Sequence, residues 1–243
     1  MATLAAFAQR RAITFPLLSD AGSEVIRRYG LINTTVPAAN PTFGIPFPGT
    51  LVVDREGRLT ARYFETPYQT RHTVSSILVD IGRPTRAPAT RVSSPQLDLT
   101  TYSTDAAVSA GSAFSLVLDL EPGPLMHVYA PGVSGYRPVS LTIDPQLFIQ
   151  LDPPRFPPSE TYEFKPLKER VQVYSKPFRI RQDVRVEASG PAQAALKSMD
   201  HLTITGTLAY QACDDKVCFN PASVPVVWTV QLKALDRERA GGR

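Results

Sequence analysis

The sequence predicts an α+β chain in two parts, an α/β region over residues 1–84 followed by a β-sandwich over residues 98–235. In the first part, apolar residues recur at helical spacing beside short strand-like runs. In the second part, apolar and polar residues alternate, which is the period of half-buried strands. The chain has 243 residues, enough for one large or two modest domains.

The first part contains predicted helices and a predicted strand pair. An amphipathic helix ending at Gly82 is indicated by apolar residues at i, i+3, i+4 and i+7, namely Val74, Ile77, Leu78 and Ile81. A buried strand is predicted over residues 50–54, and a turn leads from it into a second strand over residues 59–64. Residues 85–97 show no period and are predicted to be a linker.

The second part is predicted to consist of strands separated by Pro- and Gly-rich turns. Runs over residues 178–186 and 224–232 alternate between apolar and other residues, and a third run places four apolar residues on one face: Leu202, Ile204, Leu208 and Tyr210. Such half-buried strands are typical of a sandwich. The charged tail over residues 236–243 is predicted to be disordered.

Composition excludes several classes of function. The net charge is +4 and the basic residues form no run of five, so binding to nucleic acid or to a membrane surface has no electrostatic support. No apolar stretch approaches the length that spans a bilayer. The sequence contains no Gly-x-Gly-x-x-Gly segment and no phosphate loop, so no nucleotide or flavin cofactor is expected.

Cys213 and Cys218 lie between two predicted strands, where a hairpin-like connection can bring their Cα atoms within disulfide range. Spacing alone leaves a redox-active pair and a structural disulfide equally open. Closing a loop of about six residues contributes only about 2 kcal/mol, which weakens the structural reading. Half of a zinc site is disfavoured, because no histidine stands at ligand spacing from the pair: His72, His127 and His201.

The residues between the cysteines bear on the acidity of the thiols. Asp214 and Asp215 disfavour a thiolate, whereas Lys216 favours one. Thiols that are not strongly acidic suit a relay of electrons between partners better than they suit a nucleophile that attacks peroxide.

Three segments resemble the N-terminal periplasmic domain of the DsbD thiol–disulfide reductase family. Residues 210–221 (Tyr-Gln-Ala-Cys-Asp-Asp-Lys-Val-Cys-Phe-Asn-Pro) are similar to its active-site hairpin. Residues 126–132 (Met-His-Val-Tyr-Ala-Pro-Gly) and 162–167 (Tyr-Glu-Phe-Lys-Pro-Leu) are similar to its early strand and its mid-domain loop. The resemblance extends over residues 98–233 and implies an immunoglobulin-like β-sandwich.

The resemblance also implies roles for individual residues. Cys218 is expected to be the thiol that faces partner proteins, and Cys213 the resolving thiol. The loop over residues 164–167 is expected to cover the pair until a partner docks, with either Phe164 or Leu167 as the cap. Further side chains are expected near the pair: His127, Tyr129 and Tyr210.

The first part resembles the C-terminal half of a peroxiredoxin of the AhpC/TSA family, a redoxin with a thioredoxin-like fold. Residues 13–20 (Ile-Thr-Phe-Pro-Leu-Leu-Ser-Asp) and 44–54 (Gly-Ile-Pro-Phe-Pro-Gly-Thr-Leu-Val-Val-Asp) carry this resemblance. The peroxidatic cysteine of that family lies upstream of the matched part, and no cysteine precedes Cys213 here. We therefore expect a truncated form of a redoxin–sandwich fusion, in preference to a degenerate module.

These observations predict a thiol–disulfide oxidoreductase that relays electrons through Cys213 and Cys218 to thioredoxin-like or redoxin partners, in support of peroxide detoxification. Two alternatives remain open: a peroxiredoxin-family antioxidant whose catalytic half is missing, and a non-enzymatic binding module with a structural disulfide. The resemblance favours the periplasm. The N-terminus lacks the order of a secretory signal, which favours the cytoplasm.

Overall fold

The structure is a computed structural model that describes residues 2–64, 70–83, 88–164 and 169–234. The helices are α1 (Ala2–Arg10), α2 (Glu24–Arg28), α3 (Val74–Asp80) and α4 (Gly190–Leu196). The strands are β1 (Gly49–Val53), β2 (Leu59–Phe64), β3 (Arg71–His72), β4 (Ala89–Ser93), β5 (Leu97–Ser103), β6 (Ala107–Val108), β7 (Ser112–Pro122), β8 (His127–Tyr129), β9 (Ser140–Ile143), β10 (Ile149–Leu151), β11 (Glu160–Phe164), β12 (Glu169–Tyr174), β13 (Phe178–Val186), β14 (His201–Tyr210), β15 (Ala212–Cys213) and β16 (Ala222–Leu232).

The chain divides into two compact units, with the boundary between Arg71 and His72. The first unit contains α1, α2 and the antiparallel hairpin of β1 and β2. The Asp54 carboxylate holds the hairpin turn by accepting the backbone N–H groups of Glu56 and Arg58. The strand predicted to be buried, β1, is largely exposed, and the side chain of Val53 is 58% accessible.

The second unit is a β-sandwich, which confirms the fold class predicted for this part of the chain. One sheet has the strand order β10-β13-β7-β5-β4, with β3 joined to β7, and another has the order β6-β16-β14-β9. Buried residues of both sheets share one core, and the largest of them include Phe114, Leu118, Ile180, Ile204, Leu208 and Trp228. The alternation predicted for residues 202–210 is observed, because the threonines between the buried residues face outward.

A smaller sheet of order β11-β12-β8-β15 carries the cysteine segment. The hairpin of β14 and β16 keeps its register up to the pair Tyr210↔Ala222. Beyond Tyr210 the chain leaves that hairpin, and Ala212 and Cys213 pair with β8 instead. The first cysteine therefore lies where the chain passes from one sheet to another.

The segment predicted to be a linker forms a strand over residues 89–93. This strand, β4, pairs antiparallel with β5 at the edge of its sheet, and all of its residues are exposed. Because none of its side chains enters the core, the strand leaves no apolar alternation in the sequence. Residues 85–87 of the predicted linker and the predicted disordered tail lie outside the described residues.

Helix α3 belongs to the second unit, although the sequence grouped it with the first part. Thr73 caps the helix through its side chain, and its hydroxyl also donates to Asp105 at 2.6 Å. The Asp80 carboxylate at the other end pairs with Arg181, whose side chain is only 10% exposed. The ion pair with α3 accounts for the burial of Arg181, a charged residue that alternates with apolar residues along its strand.

Replacing Asp80 with Asn is expected to destabilise the sandwich. The change leaves the guanidinium of Arg181 with Asp183 as its remaining carboxylate partner. The loss should be about 2 kcal/mol, between the values for exposed and buried ion pairs. Urea unfolding followed by Trp228 fluorescence measures it, with Glu121→Gln, an exposed carboxylate on β7, as the control. Equal midpoints for the two variants would show that the ion pair between Asp80 and Arg181 does not stabilise this unit.

Candidate active site

The backbone of the hairpin tip brings the two cysteines together. Cys213 and Cys218 form an antiparallel bridge, and the flanking hydrogen bonds run from Asp214 N–H to Val217 O and from Phe219 N–H to Ala212 O. The cysteines are therefore a non-hydrogen-bonded pair, the arrangement in which facing side chains lie closest. Their Cα atoms are 4.0 Å apart and their sulfurs form a disulfide.

Two polar side chains fix the shape of this tip. The Asp214 carboxylate accepts the backbone N–H groups of Lys216 and Val217, each at 2.7 Å, which closes the turn between the cysteines. Gln211 donates to the carbonyl of Phe219 at 3.1 Å and accepts the backbone N–H of Arg137 at 3.1 Å. The tip is therefore tied both across itself and to the loop between β8 and β9.

The two sulfur-bearing residues differ in exposure. Cys213 is 1% exposed and packs with Tyr129 and Val173. Cys218 is exposed, and its neighbour Val217 is 54% exposed. Ala212 points into the main core, and Cys213 points to the opposite side, where Tyr129 and Val173 enclose it. Cys218 is thus the exposed residue of the pair.

Strand β8 supplies the side chains next to the disulfide. Val128 enters the main core, and its neighbours His127 and Tyr129 project from the other face of the strand. The hydroxyl of Tyr129 donates to Sγ of Cys213 at 3.2 Å and lies 3.6 Å from Sγ of Cys218. His127 is paired with Cys213 in the strand register and is 4% exposed.

Two further tyrosines cover these β8 side chains. The ring of Tyr162, on β11, lies 4.4 Å from the ring of His127, and its hydroxyl donates to Asp215. The ring of Tyr136 stacks on Tyr129 at 4.1 Å. The Tyr136 hydroxyl donates to Glu169, the first residue of β12, at 2.7 Å. Each covering ring is therefore anchored by a carboxylate.

The environment sets the protonation of this cluster. Burial raises the pKa of Tyr129 and lowers the pKa of His127, although the charges of Asp215 and Asp214 oppose the effect on the histidine. The hydrogen bond to Asp215 is the main cause that raises the pKa of Tyr162 to about 12. At neutral pH the imidazole is therefore uncharged, and both tyrosines keep the protons that they donate.

The structure brings together only some of the side chains that the sequence assigned to the site. His127 and Tyr129 lie beside Cys213, as just described. Tyr210 is buried in the main core, and it is not a member of the cluster that holds Cys213. Phe164 ends β11, so the backbone at that position is defined, whereas Leu167 lies outside the described residues.

Sequence reasoning missed Tyr136 and Tyr162 as site residues. Both stand inside or just after the segments that resemble the DsbD family, and this was the available signal. The contacts that give them a role join residues that are 33 and 53 positions apart in the chain. Within the described residues, no group of three or more His, Cys, Asp or Glu side chains is arranged to hold a metal ion. No helix in those same ranges is long and apolar enough to cross a membrane.

Comparison with known proteins yields two family matches. The model of the AhpC/TSA family matches residues 1–62, which confirms the resemblance found in the first part. The model of the N-terminal part of the thiol:disulfide interchange protein DsbD matches residues 98–226, just over half of the chain. No curated protein sequence matches this chain.

Two solved structures are similar to part of the chain. The N-terminal periplasmic domain of ScsB from Proteus mirabilis is 12% identical, with a TM-score of 0.40, and the match covers 56% of this chain and 49% of that one. The N-terminal domain of DsbD from Neisseria meningitidis in the reduced form is 16% identical, with a TM-score of 0.33, covering 48% of this chain and 81% of that one. This chain thus spans about half the length of the ScsB domain. On the family match over residues 98–226, the chain belongs to the family of the N-terminal domain of the thiol:disulfide interchange protein DsbD.

Proposed function

We propose that this protein is a thiol–disulfide oxidoreductase that passes electrons through Cys213 and Cys218 to disulfides of thioredoxin-like or redoxin partners. One observation carries the proposal: Cys218 is exposed, whereas Cys213 is 1% exposed beside a hydroxyl donor. Thiol–disulfide exchange requires access to one sulfur and a leaving group at the other. This pair offers both.

The proposed reduction of a partner proceeds in two displacements. The Cys218 thiolate attacks the partner disulfide, a mixed disulfide forms, and one partner sulfur leaves as a thiolate that takes up a proton. The Cys213 thiolate then attacks Sγ of Cys218 and releases the second partner sulfur, which is also protonated. The partner gains two electrons and two protons, and the pair becomes the disulfide that is present in the structure.

Reduction of the pair by a donor dithiol runs through the same atoms. A donor thiolate attacks Sγ of Cys218, the bond between the cysteine sulfurs breaks, and Cys213 leaves as a buried thiolate. The second thiolate of the donor then attacks its own sulfur in the mixed disulfide, so that Cys218 is released as a thiolate and the donor leaves as a disulfide. The hydroxyl of Tyr129 is within hydrogen-bonding distance of that sulfur. Because the pKa of Tyr129 is raised, the hydroxyl keeps its proton and donates it in a hydrogen bond to the thiolate as charge develops.

The match of residues 1–62 to the AhpC/TSA family supports a redoxin of that type as the natural partner. Peroxiredoxins reduce peroxide through a cysteine thiolate, and both cysteines of this chain lie outside the matched part. We therefore assign to this chain the supply of electrons to such a redoxin rather than the reduction of peroxide. We also propose that the working unit is the sandwich together with α3.

The reduction potential of the pair is expected between about −270 and −120 mV, the range of proteins that exchange disulfides. Equilibration of the full chain in glutathione or dithiothreitol buffers, followed by counting of free thiols, measures it. A potential below about −300 mV is typical of a structural bond and would favour the non-enzymatic binding module.

Cys213→Ser is expected to accumulate a mixed disulfide through Cys218, because the thiol that resolves it has been removed. Oxidised thioredoxin and an oxidised AhpC/TSA peroxiredoxin are suitable probes, with the adduct detected by intact mass under non-reducing conditions. Cys218→Ser is the matched control and should form little adduct, since Cys213 is buried. Failure of Cys213→Ser to capture either probe would refute the relay.

Tyr129→Phe is expected to raise the pKa of the Cys213 thiol by about one unit, because a hydrogen bond to a charged group contributes about 1.5–3 kcal/mol and part of that is regained from other donors. Thiolate absorbance of the reduced protein, titrated against pH, measures the change. Tyr210→Phe removes a hydroxyl from the main core and should leave the titration unchanged. Identical titrations for Tyr129→Phe and the wild type would show that the Tyr129 hydroxyl does not stabilise the Cys213 thiolate.

A further inference from the structure

The side chains that cover Cys213 come from separate parts of the chain. Cys213, Tyr129 and Val173 form a small buried cluster, and partly buried residues pack against it: Val133, Tyr136, Tyr162 and Val171. None of these residues lies in the turn between the cysteines. The burial of Cys213 therefore depends on how the turn is held against the sheet as well as on the turn itself.

Tyr162 joins this cover to that turn. Its ring packs on His127, which faces Cys213 across the strand pair, and its hydroxyl donates to the carboxylate of Asp215. Tyr162 stands on β11, at one edge of the small sheet, and the cysteine segment β15 lies at the opposite edge. A single side chain thus connects the two edges.

Asp215 has a different task from its neighbour Asp214. The Asp214 carboxylate binds the backbone of the turn and gives the turn its shape. The Asp215 carboxylate accepts the hydrogen bond of the Tyr162 hydroxyl. The first aspartate therefore forms the turn, and the second fixes its position relative to the aromatic cover.

We propose that Tyr162, through its hydrogen bond to Asp215, is a positioning residue that makes Cys218 the attacked sulfur and keeps Cys213 shielded. With the bond in place, the turn is held so that Cys218 faces solvent and the covering rings lie over Cys213. Without it, the turn shifts relative to the cover and Cys213 becomes open to attack. The inference deepens the proposed function, on which it rests for the biological meaning of the selectivity.

The test uses the full oxidised chain and glutathione, so that no partner protein is needed. The glutathione thiolate attacks one cysteine sulfur, the disulfide breaks, and a mixed disulfide forms on that cysteine. The other cysteine leaves as a thiolate, and an acid quench protonates it so that it cannot react back, after which the free thiol is alkylated. Peptide mapping by mass spectrometry then shows which cysteine carries glutathione. In the wild type, we expect glutathione on Cys218 and the alkyl group on Cys213.

Tyr162→Phe keeps the ring and the charge of the site but removes the hydroxyl. The share of glutathione found on Cys213 should rise about threefold, as expected for the loss of one exposed hydrogen bond. Tyr102→Phe is the matched control, because Tyr102 also donates to a carboxylate, that of Asp119, at 3.4 Å on another sheet. That variant should show the wild-type distribution.

Changes at Asp215 separate the hydrogen bond from the charge. Asp215→Ala should reproduce the distribution of Tyr162→Phe, whereas Asp215→Asn, which keeps an acceptor oxygen, should stay near the wild type. Near-identical melting temperatures would show that the variants remain folded. If Tyr162→Phe does not fold, the comparison of Asp215→Ala with Asp215→Asn still tests the role of the hydrogen bond.

If Tyr162→Phe and Asp215→Ala both carried glutathione on the two cysteines in the wild-type proportions, the proposal would be overturned. Equal increases in the glutathione on Cys213 in Asp215→Asn and Asp215→Ala would also overturn it, because they would identify the charge of Asp215 as the cause. These outcomes are independent of partner capture. If Cys213→Ser captures no redoxin while the glutathione selectivity follows the hydrogen bond, the relay fails and the positioning role stands. If Cys213→Ser captures a redoxin while the glutathione selectivity does not follow the hydrogen bond, the relay stands and Tyr162 has no positioning role in it.

Discussion

The site depends on one change of partner in the backbone, the transfer of the chain from β14 to the small sheet at Gln211. Up to Tyr210 the strand pairs with β16, and from Ala212 onward it pairs with β8. Strand alternation at this point sends Ala212 into the main core and Cys213 to the opposite side. The return of the chain places Cys218 beside Cys213, and Gln211 holds both arms of the tip.

The same transfer explains why the two sulfurs are chemically different. Cys213 is enclosed by side chains of β8, β11 and β12, whereas Cys218 stands on the outer arm of the tip. The donor nearest to the buried sulfur is a neutral hydroxyl, and the neighbouring imidazole is also uncharged at neutral pH because burial lowers its pKa. A buried thiolate that has a neutral hydroxyl as its donor is only moderately stabilised. This environment is suited to reversible exchange in both directions.

The sandwich has little need of the disulfide for its own stability. The main core joins the two larger sheets through many fully buried side chains, whereas the disulfide closes a loop of about six residues, for which the chain-entropy model gives only about 2 kcal/mol. Charged pairs add support: Arg179 donates two hydrogen bonds to Asp119 on the sheet surface, and the buried Arg181 pairs with Asp80 of α3. The pair can therefore open and close while the scaffold stays in place.

The sequence by itself determined the strands with one buried face, the pairing of the two cysteines on a hairpin and the likeness to two families. Each of these can be predicted from residues that are close together in the chain. They are the alternation along residues 202–210, the spacing of Cys213 and Cys218, and the runs of residues that match the two families. Strand β4 was not predicted, because an exposed edge strand shows no alternation of apolar and polar residues. The sequence did not indicate that α3 belongs to the second unit, because its ion pair with Arg181 joins residues that are 101 positions apart. Only the tertiary structure decided which cysteine is exposed and which tyrosines pack over the other one. Those contacts form only when β8, β11 and β15 meet in one sheet.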